Sequence, residues 1–111
     1  MAYDEELADR IREALQDVDG VIEKRMFGGL AFLVNGHMAV SASGKGGLML
    51  RVEPAQTDAL VARPHAQRVV MRGREMDGWL RVDDAGIQTP RHLRTWVERG
   101  VAAAKALPPK P

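Results

Sequence analysis

Residues 30–42 read LAFLVNGHMAVSA, two apolar runs separated by Asn35 and Gly36. An Asn-Gly pair between apolar runs is the strongest short signal for a β-hairpin, because its two-residue turn needs both residues at positive φ. Such a turn fixes which residues of the two strands lie opposite each other. The expected partners are Leu33 with Met38, Ala31 with Val40, and Phe32 with Ala39.

Further helix and strand patterns flank this hairpin on both sides. Residues 21–27 predict a strand that ends at a Gly-Gly break, and residues 48–52 predict another strand after the glycine-rich turn 43–47. Asp4 and Thr89 are suited to cap the first and last helices, and Pro54 suits the start of a short one. Two more strands are expected near residues 67–72 and 79–82. The predicted class is therefore α+β, with a mostly antiparallel sheet in one layer and three helices on one face of it.

Composition and charge limit the classes of protein to consider. We expect one domain, residues 1–111, with a proline-rich tail from about residue 107. Cysteine is absent, so disulfides and thiolate chemistry are excluded. The apolar runs are short and the first residues are acidic, which favours a cytoplasmic location. Residues 1–23 carry a net charge of −6 and residues 24–111 one of +7, an asymmetry typical either of a charged partner or of an acidic helix on a basic body.

Several residues could carry chemistry, but each also has a structural interpretation. The run Gly44-Lys45-Gly46-Gly47 could hold a phosphate, yet it lacks the P-loop pattern and is better explained as a turn. His65 could bind an anion or donate to the last carbonyls of the preceding helix. The pair Asp83-Asp84 lacks the spacing of a calcium loop, and the histidines lack metal-ligand spacing. We therefore expect no catalytic set, no metal and no cofactor.

Five short motifs carry a resemblance to a known family. They are KRMFGGLAF at 24–32, VNGHM at 34–38, ARPHA at 62–66, GREM with Gly-Trp at 73–79, and WVERG at 96–100. This set resembles the TfoX/Sxy N-terminal domain family, whose founding members regulate bacterial competence genes. The resemblance implies a fold like that of secretion chaperones, in the order α-β(3)-α-β(2)-α, one strand fewer than the residues themselves predict. It also implies structural roles for Met26, Phe27, Gly28, Gly29, Asn35, Gly36, His65 and Gly78.

Side chains alternate between the two faces of a strand, and this alternation predicts which of them lie on the side of the sheet that the helices leave uncovered. We expect Val69, Met71 and Leu80 to face the helices, so that their neighbours along each strand face away from them. Arginine, methionine and aromatic residues are enriched at protein interfaces. The predicted interaction surface consists of Met49, Arg51, Arg68, Arg72, Trp79 and Arg81.

This surface favours a non-enzymatic regulatory or protein-interaction module, with a homodimer as the expected assembly. A weak nucleic-acid-binding protein is the first alternative, because arginine and tryptophan also suit phosphate contact and base stacking. An enzyme with an unrecognised site is the second. A plain structural explanation also stands, in which arginine is simply abundant and Trp79 folds over a sheet edge.

Overall fold

Three helices and six strands follow one another in the order that the sequence patterns predict. A computed structural model describes residues 3–26 and 28–108. The helices are α1 (Glu5–Ala14), α2 (Thr57–Val61) and α3 (Pro90–Lys105). The strands are β1 (Ile22–Met26), β2 (Gly29–Val34), β3 (His37–Ala42), β4 (Leu48–Arg51), β5 (Ala66–Met71) and β6 (Arg74–Val82). The α+β class is confirmed, and four strands precede α2 where the family resemblance implies three.

The strands form one antiparallel sheet in the order β1-β2-β3-β4-β6-β5. One row of partners runs from Leu30 through Ala42 and Leu48 to Val82, and these side chains are buried against the helices. Leu93, Trp96 and Val97 recur at helical spacing, which predicts that they form the buried side of the last helix. This prediction is confirmed, since Trp96 is only 6% exposed and belongs to the same buried cluster as Ile11 of α1. Side-chain caps from Asp4 and Thr89 begin α1 and α3, also as predicted.

The first helix is held to the rest of the fold by two arginines. Arg10 donates to the carbonyl oxygens of Ile87 and Gln88, just before α3. The Arg12 guanidinium donates to both carboxylate oxygens of Glu23 in β1, at 2.6 and 2.7 Å. This ion pair lowers the pKa of Glu23 and raises that of Arg12.

The Asn35-Gly36 hairpin forms as predicted, but its register changes after two pairs of residues. Asn35 and Gly36 have φ of 54° and 82°, and Leu33 pairs with Met38. A β-bulge then pairs Phe32 with Val40 and Ala31 with Ser41, so the predicted pairs Ala31–Val40 and Phe32–Ala39 are wrong. The extra residue, Ala39, lets two successive apolar residues of β3 meet α3.

The β5–β6 hairpin bends away from the rest of the sheet. Arg68 pairs with Leu80, but the next residue, Val69, pairs with Met76, which leaves residues 77–79 of β6 outside the β5 ladder. Gly78 lies in this bend at φ 88°, and its N–H donates to the buried Thr57 hydroxyl at 2.9 Å. Beyond the bend, residues 69–71 share a cavity with Met26 and Gly29 at the opposite edge of the sheet. The sheet is therefore curled, and its free side is concave.

Candidate functional site

We call the side of the sheet that faces away from the helices the open face. Its central row of partners is Ala31, Ser41, Met49, Arg81 and Gln67, one residue each from β2, β3, β4, β6 and β5. Arg51 and Trp79 form a second pair on this side. Four of the six residues predicted for the interaction surface, Met49, Arg51, Trp79 and Arg81, therefore lie together on the open face.

Arg68 and Arg72 do not join them. Arg68 lies opposite Leu80 on the helical side, where its guanidinium forms an ion pair with Asp58 of α2 and lies 3.3 Å from Glu75. Arg72 is outside the strands, in the exposed turn between β5 and β6 at φ 54°. The prediction for Arg68 failed because β5 carries apolar residues on both sides, so alternation alone could not say which set faces the helices. The prediction for Arg72 failed because β5 ends at Met71, one residue before it.

Val69 and Met71 were expected to face the helices, and this prediction is wrong for the same reason as that for Arg68. Ala66 pairs with Val82 and joins the helical core, so Gln67, Val69 and Met71 lie on the open face. Val69 is nonetheless only 6% exposed, because the curled sheet covers it from the concave side.

The open face is rich in methionine, a feature that the sequence pattern did not indicate. Five of the six methionines lie there, one or more from every strand except β2: Met26, Met38, Met49, Met71 and Met76. Their exposure ranges from 8% at Met38 to 40% at Met71, and the others are half-buried. Ile22 and Leu33 extend this apolar surface toward the β1 edge, where Ile22 is 61% exposed.

Arg51 and Trp79 contact each other on this face. The guanidinium carbon of Arg51 lies 4.4 Å from the centroid of the indole ring, and its Nε donates to the carbonyl oxygen of Met38 at 2.8 Å. Burial lowers the pKa of Arg51 below its usual value, but an arginine remains charged at neutral pH. Arg81 is held by the Ser43 hydroxyl at 3.2 Å.

The charge of the open face has one sign. Lys24, Arg51, Arg74 and Arg81 occupy strand positions on this side. Within residues 3–26 and 28–108, no Asp or Glu occupies such a position: Glu23 and Glu75 pair with Phe32 and Val70 on the other side. Asp77, in the bend of β6, lies 3.8 Å from the guanidinium of Arg68, which is also on that side. An apolar surface with a cationic border is complementary to a partner that is both apolar and acidic.

The cavity on the open face has a volume of 160 Å³ and is lined by Met26, Met49, Val69 and Arg81, among others. A volume of this size is below the ~300 Å³ at which drug-sized ligand sites begin. In the described part of the chain, no three His, Asp or Glu side chains come together as a metal site would need. No described helix has the length and apolar character that crossing a bilayer requires.

The remaining motif residues have visible structural roles where the structure describes them. Met26 ends β1 on the open face, while Gly28 and Gly29 follow as a turn residue and the start of β2. A side chain at Gly29 would collide with the carbonyl oxygen of Ala42. Phe27 lies outside the described residues. The glycine-rich run 44–47 is a turn closed by hydrogen bonds between Ser43 and Gly47 and between Gly46 and Ser43.

A scan against family models matches residues 13–104 to the TfoX N-terminal domain. The chain belongs to the TfoX N-terminal domain family. The match begins at the end of α1 and covers all six strands, α2 and nearly all of α3. The family is of a non-catalytic, regulatory and competence-related type. Comparisons with curated proteins and with solved structures found no match.

Proposed function

We propose that this TfoX N-terminal domain is a non-enzymatic regulatory module that binds an acidic, apolar segment of a partner protein on its open face. The observation that carries the proposal is the gathering of five methionines on that face. Methionine is unbranched and polarizable, so a methionine-rich surface can adapt to partner side chains of different shape. Membership of a regulatory family supports the same conclusion.

Charge decides between classes of protein partner. A homodimer formed by two open faces would bring the cations Arg51, Arg74 and Arg81 of one copy against the same cationic face of the other, and like charges placed together in an interface cost free energy. An acidic segment would instead pair with these cations while its apolar side chains contact the methionines. We therefore favour a different, acidic partner over a second copy of this face.

Nucleic acid is the other anionic partner to consider. Binding a single strand relies on aromatic faces on which bases can stack. The ring of Trp79 is half-buried and one of its faces is already covered by Arg51, which leaves little of it for a base. The open face therefore fits an acidic protein segment better than a nucleic acid.

Nuclear magnetic resonance of methionine methyl groups would test this proposal, because five reporters lie on the face in question. The probe is a synthetic amphipathic peptide with glutamate on one side and leucine on the other, and its matched control replaces glutamate by lysine. We expect the acidic peptide to shift the methyl signals of Met26, Met49, Met71 and Met76, and the basic peptide to leave them unchanged. Arg74→Glu, on the open face, should weaken binding by about tenfold or more, since it replaces attraction by repulsion.

Arg25→Glu is the matched control variant. Arg25 is exposed, as Arg74 is, but it lies on the edge strand β1 and pairs with Leu30 on the helical side. The two variants carry the same change of charge on opposite sides of the sheet, so a difference in their affinity for the peptide identifies the side that binds it. Equal loss of affinity in both, or no methyl shift with the acidic peptide, would contradict the proposal. Tighter binding of a thymidine oligonucleotide than of the peptide would make nucleic acid the better assignment.

A further inference from the structure

A second cavity lies on the helical side of the sheet, away from the open face. It is formed between α3 and the segment that follows α2, and its volume is 370 Å³. This volume falls within the range of small-molecule binding sites, ~300–1,000 Å³. The wall from α3 includes Arg91, Thr95 and Arg99, which recur every fourth residue and so lie along one side of the helix.

The lining of this cavity is cationic. Three arginines and two histidines border it: Arg63, Arg91, Arg99, His65 and His92. None of the lining residues is an aspartate or a glutamate. The nearest carboxylate to these groups is that of Asp83, 3.9 Å from Nδ1 of His65. Five groups that carry or can take a positive charge therefore surround one space.

The arginines of this cavity have no ionic partner within the described residues. Arg12 and Arg68 each contact a carboxylate, whereas no carboxylate oxygen lies within 4.0 Å of Arg63, Arg91 or Arg99. Arg99 packs over the ring of Trp96, 4.6 Å from its centroid. Burial and the nearby charge of Arg63 lower the pKa of Arg99. The charged guanidinium of Arg99 is therefore destabilised by its surroundings in the cavity.

The opposite wall is held in place by backbone contacts. His65 has a φ of 68°, which is unusual for a residue with a side chain and indicates local strain. Its carbonyl oxygen accepts a hydrogen bond from the N–H of Asp83 at 3.0 Å. Gly86 packs so closely that a Cβ there would lie 2.8 Å from the Cβ of His65. These contacts fix the histidine at the mouth of the cavity.

We propose that this cavity is a binding site for a small phosphate-bearing anion with two or more negative charges. Guanidinium groups match phosphate oxygens with paired N–H donors, and three of them face one space here. Trp96 is 6% exposed and capped by Arg99, so it offers no free ring for a nucleobase. The ligand is therefore recognised by its phosphate charge, and the site is independent of partner binding on the open face.

Tryptophan fluorescence can report on this cavity, because Trp96 is one of only two tryptophans in the chain. In a Trp79→Phe background the remaining emission comes from Trp96. The probe is pyrophosphate, compared with ATP and with the tricarboxylate citrate. We expect a saturable change with pyrophosphate and a similar affinity for ATP, and calorimetry on the wild-type chain should give the same dissociation constant.

The variant Arg63→Gln with Arg91→Gln should weaken pyrophosphate binding by about tenfold or more, because two donors and two charges are removed. Arg94→Gln is the matched control, since Arg94 is an exposed arginine of α3 that does not line the cavity. Circular dichroism of the double variant checks that it is folded, and Arg91→Gln alone provides a milder test. No saturable change, an equal loss in Arg94→Gln, or equal affinity for citrate would each overturn the proposal.

Discussion

Gly100 is the residue through which α3 approaches the centre of the sheet. A Cβ at this position would lie 2.5 Å from the carbonyl oxygen of Ala39 and 2.7 Å from Cγ1 of Val40. Both contacts are too short, and the first is with backbone that cannot rotate away. The close approach follows from the bulge in β3, which turns Ala39 and Val40 together toward the helix.

Gly100→Ala should therefore destabilise the fold although alanine is the better helix former. Helix propensity alone would favour alanine by about 1 kcal/mol. Overpacking against β3 should outweigh this gain and lower the free energy of unfolding by about 1–3 kcal/mol. Urea unfolding of the two proteins measures the difference, and Ala102→Gly, at an exposed position of α3, calibrates the propensity term. An increase in stability would mean that α3 can move away from the bulge without cost.

At the scale of elements, the bend of β6 is attached to the start of α2. Thr57 begins α2 and is 1% exposed. Its hydroxyl donates to the carbonyl oxygen of Pro54 at 2.8 Å and accepts from the N–H of Gly78 at 2.9 Å. One side chain thus connects a helical turn to the point where β6 leaves the β5 ladder.

Thr57→Val keeps the shape of this side chain and removes both hydrogen bonds. The N–H of Gly78 would then be buried without its partner, which should cost about 1–3 kcal/mol of stability. Because the bend sets the curl of the sheet, the methionine methyl signals of Met71 and Met76 should also move. Thr57→Ser, which keeps the hydroxyl, is the control and should retain most of the stability and the wild-type spectrum. If valine and serine behave alike, the bend is held by other contacts.

At the scale of the whole molecule, the two sides of the sheet differ in charge, because acidic and basic residues both occur on the helical side. The acidic residues 1–23, with a net charge of −6, include α1 on the helical side, whereas the strand positions of the open face carry only cations among the described residues. The homodimer inferred from the sequence stays a prediction. If it forms through two open faces, the cations of those faces determine how its stability responds to salt. Salt screens repulsion between like charges as well as attraction between unlike ones.

A homodimer through two open faces should therefore tighten as salt is raised, because its charges repel and its apolar contacts remain. Binding of an acidic partner to the same face should weaken under the same conditions. Sedimentation velocity of the wild-type chain at several salt concentrations measures the first effect. Mixing the wild type with Arg74→Glu should then give a heterodimer more stable than either homodimer. If the chain is a monomer at every protein and salt concentration, the homodimer prediction is wrong. If it associates but the association weakens as salt is raised, the interface is not formed by two open faces.

The sequence by itself determined the features that depend on neighbours along the chain. The caps at Asp4 and Thr89, the Asn35-Gly36 turn and the buried stripe that includes Trp96 all follow from local geometry, which a short segment carries with it. The motifs of residues 24–38 likewise indicate the family from the sequence alone. Four of the six residues predicted for the open face, Met49, Arg51, Trp79 and Arg81, came from alternation within strands whose buried side was clear.

Only the tertiary structure decided the features that join distant parts of the chain. The bulge at Ala39 brings β3 against Gly100, about sixty residues away in the sequence, and the side on which Arg68 lies follows from the pairing of β5 with β6. The methionines share one face because the pairing of the strands places their positions on the same side of the sheet. Arg63 and Arg99 line one cavity because the segment after α2 lies beside α3. Alternation reports that two sides of a strand differ, but burial against particular neighbours decides which side is which.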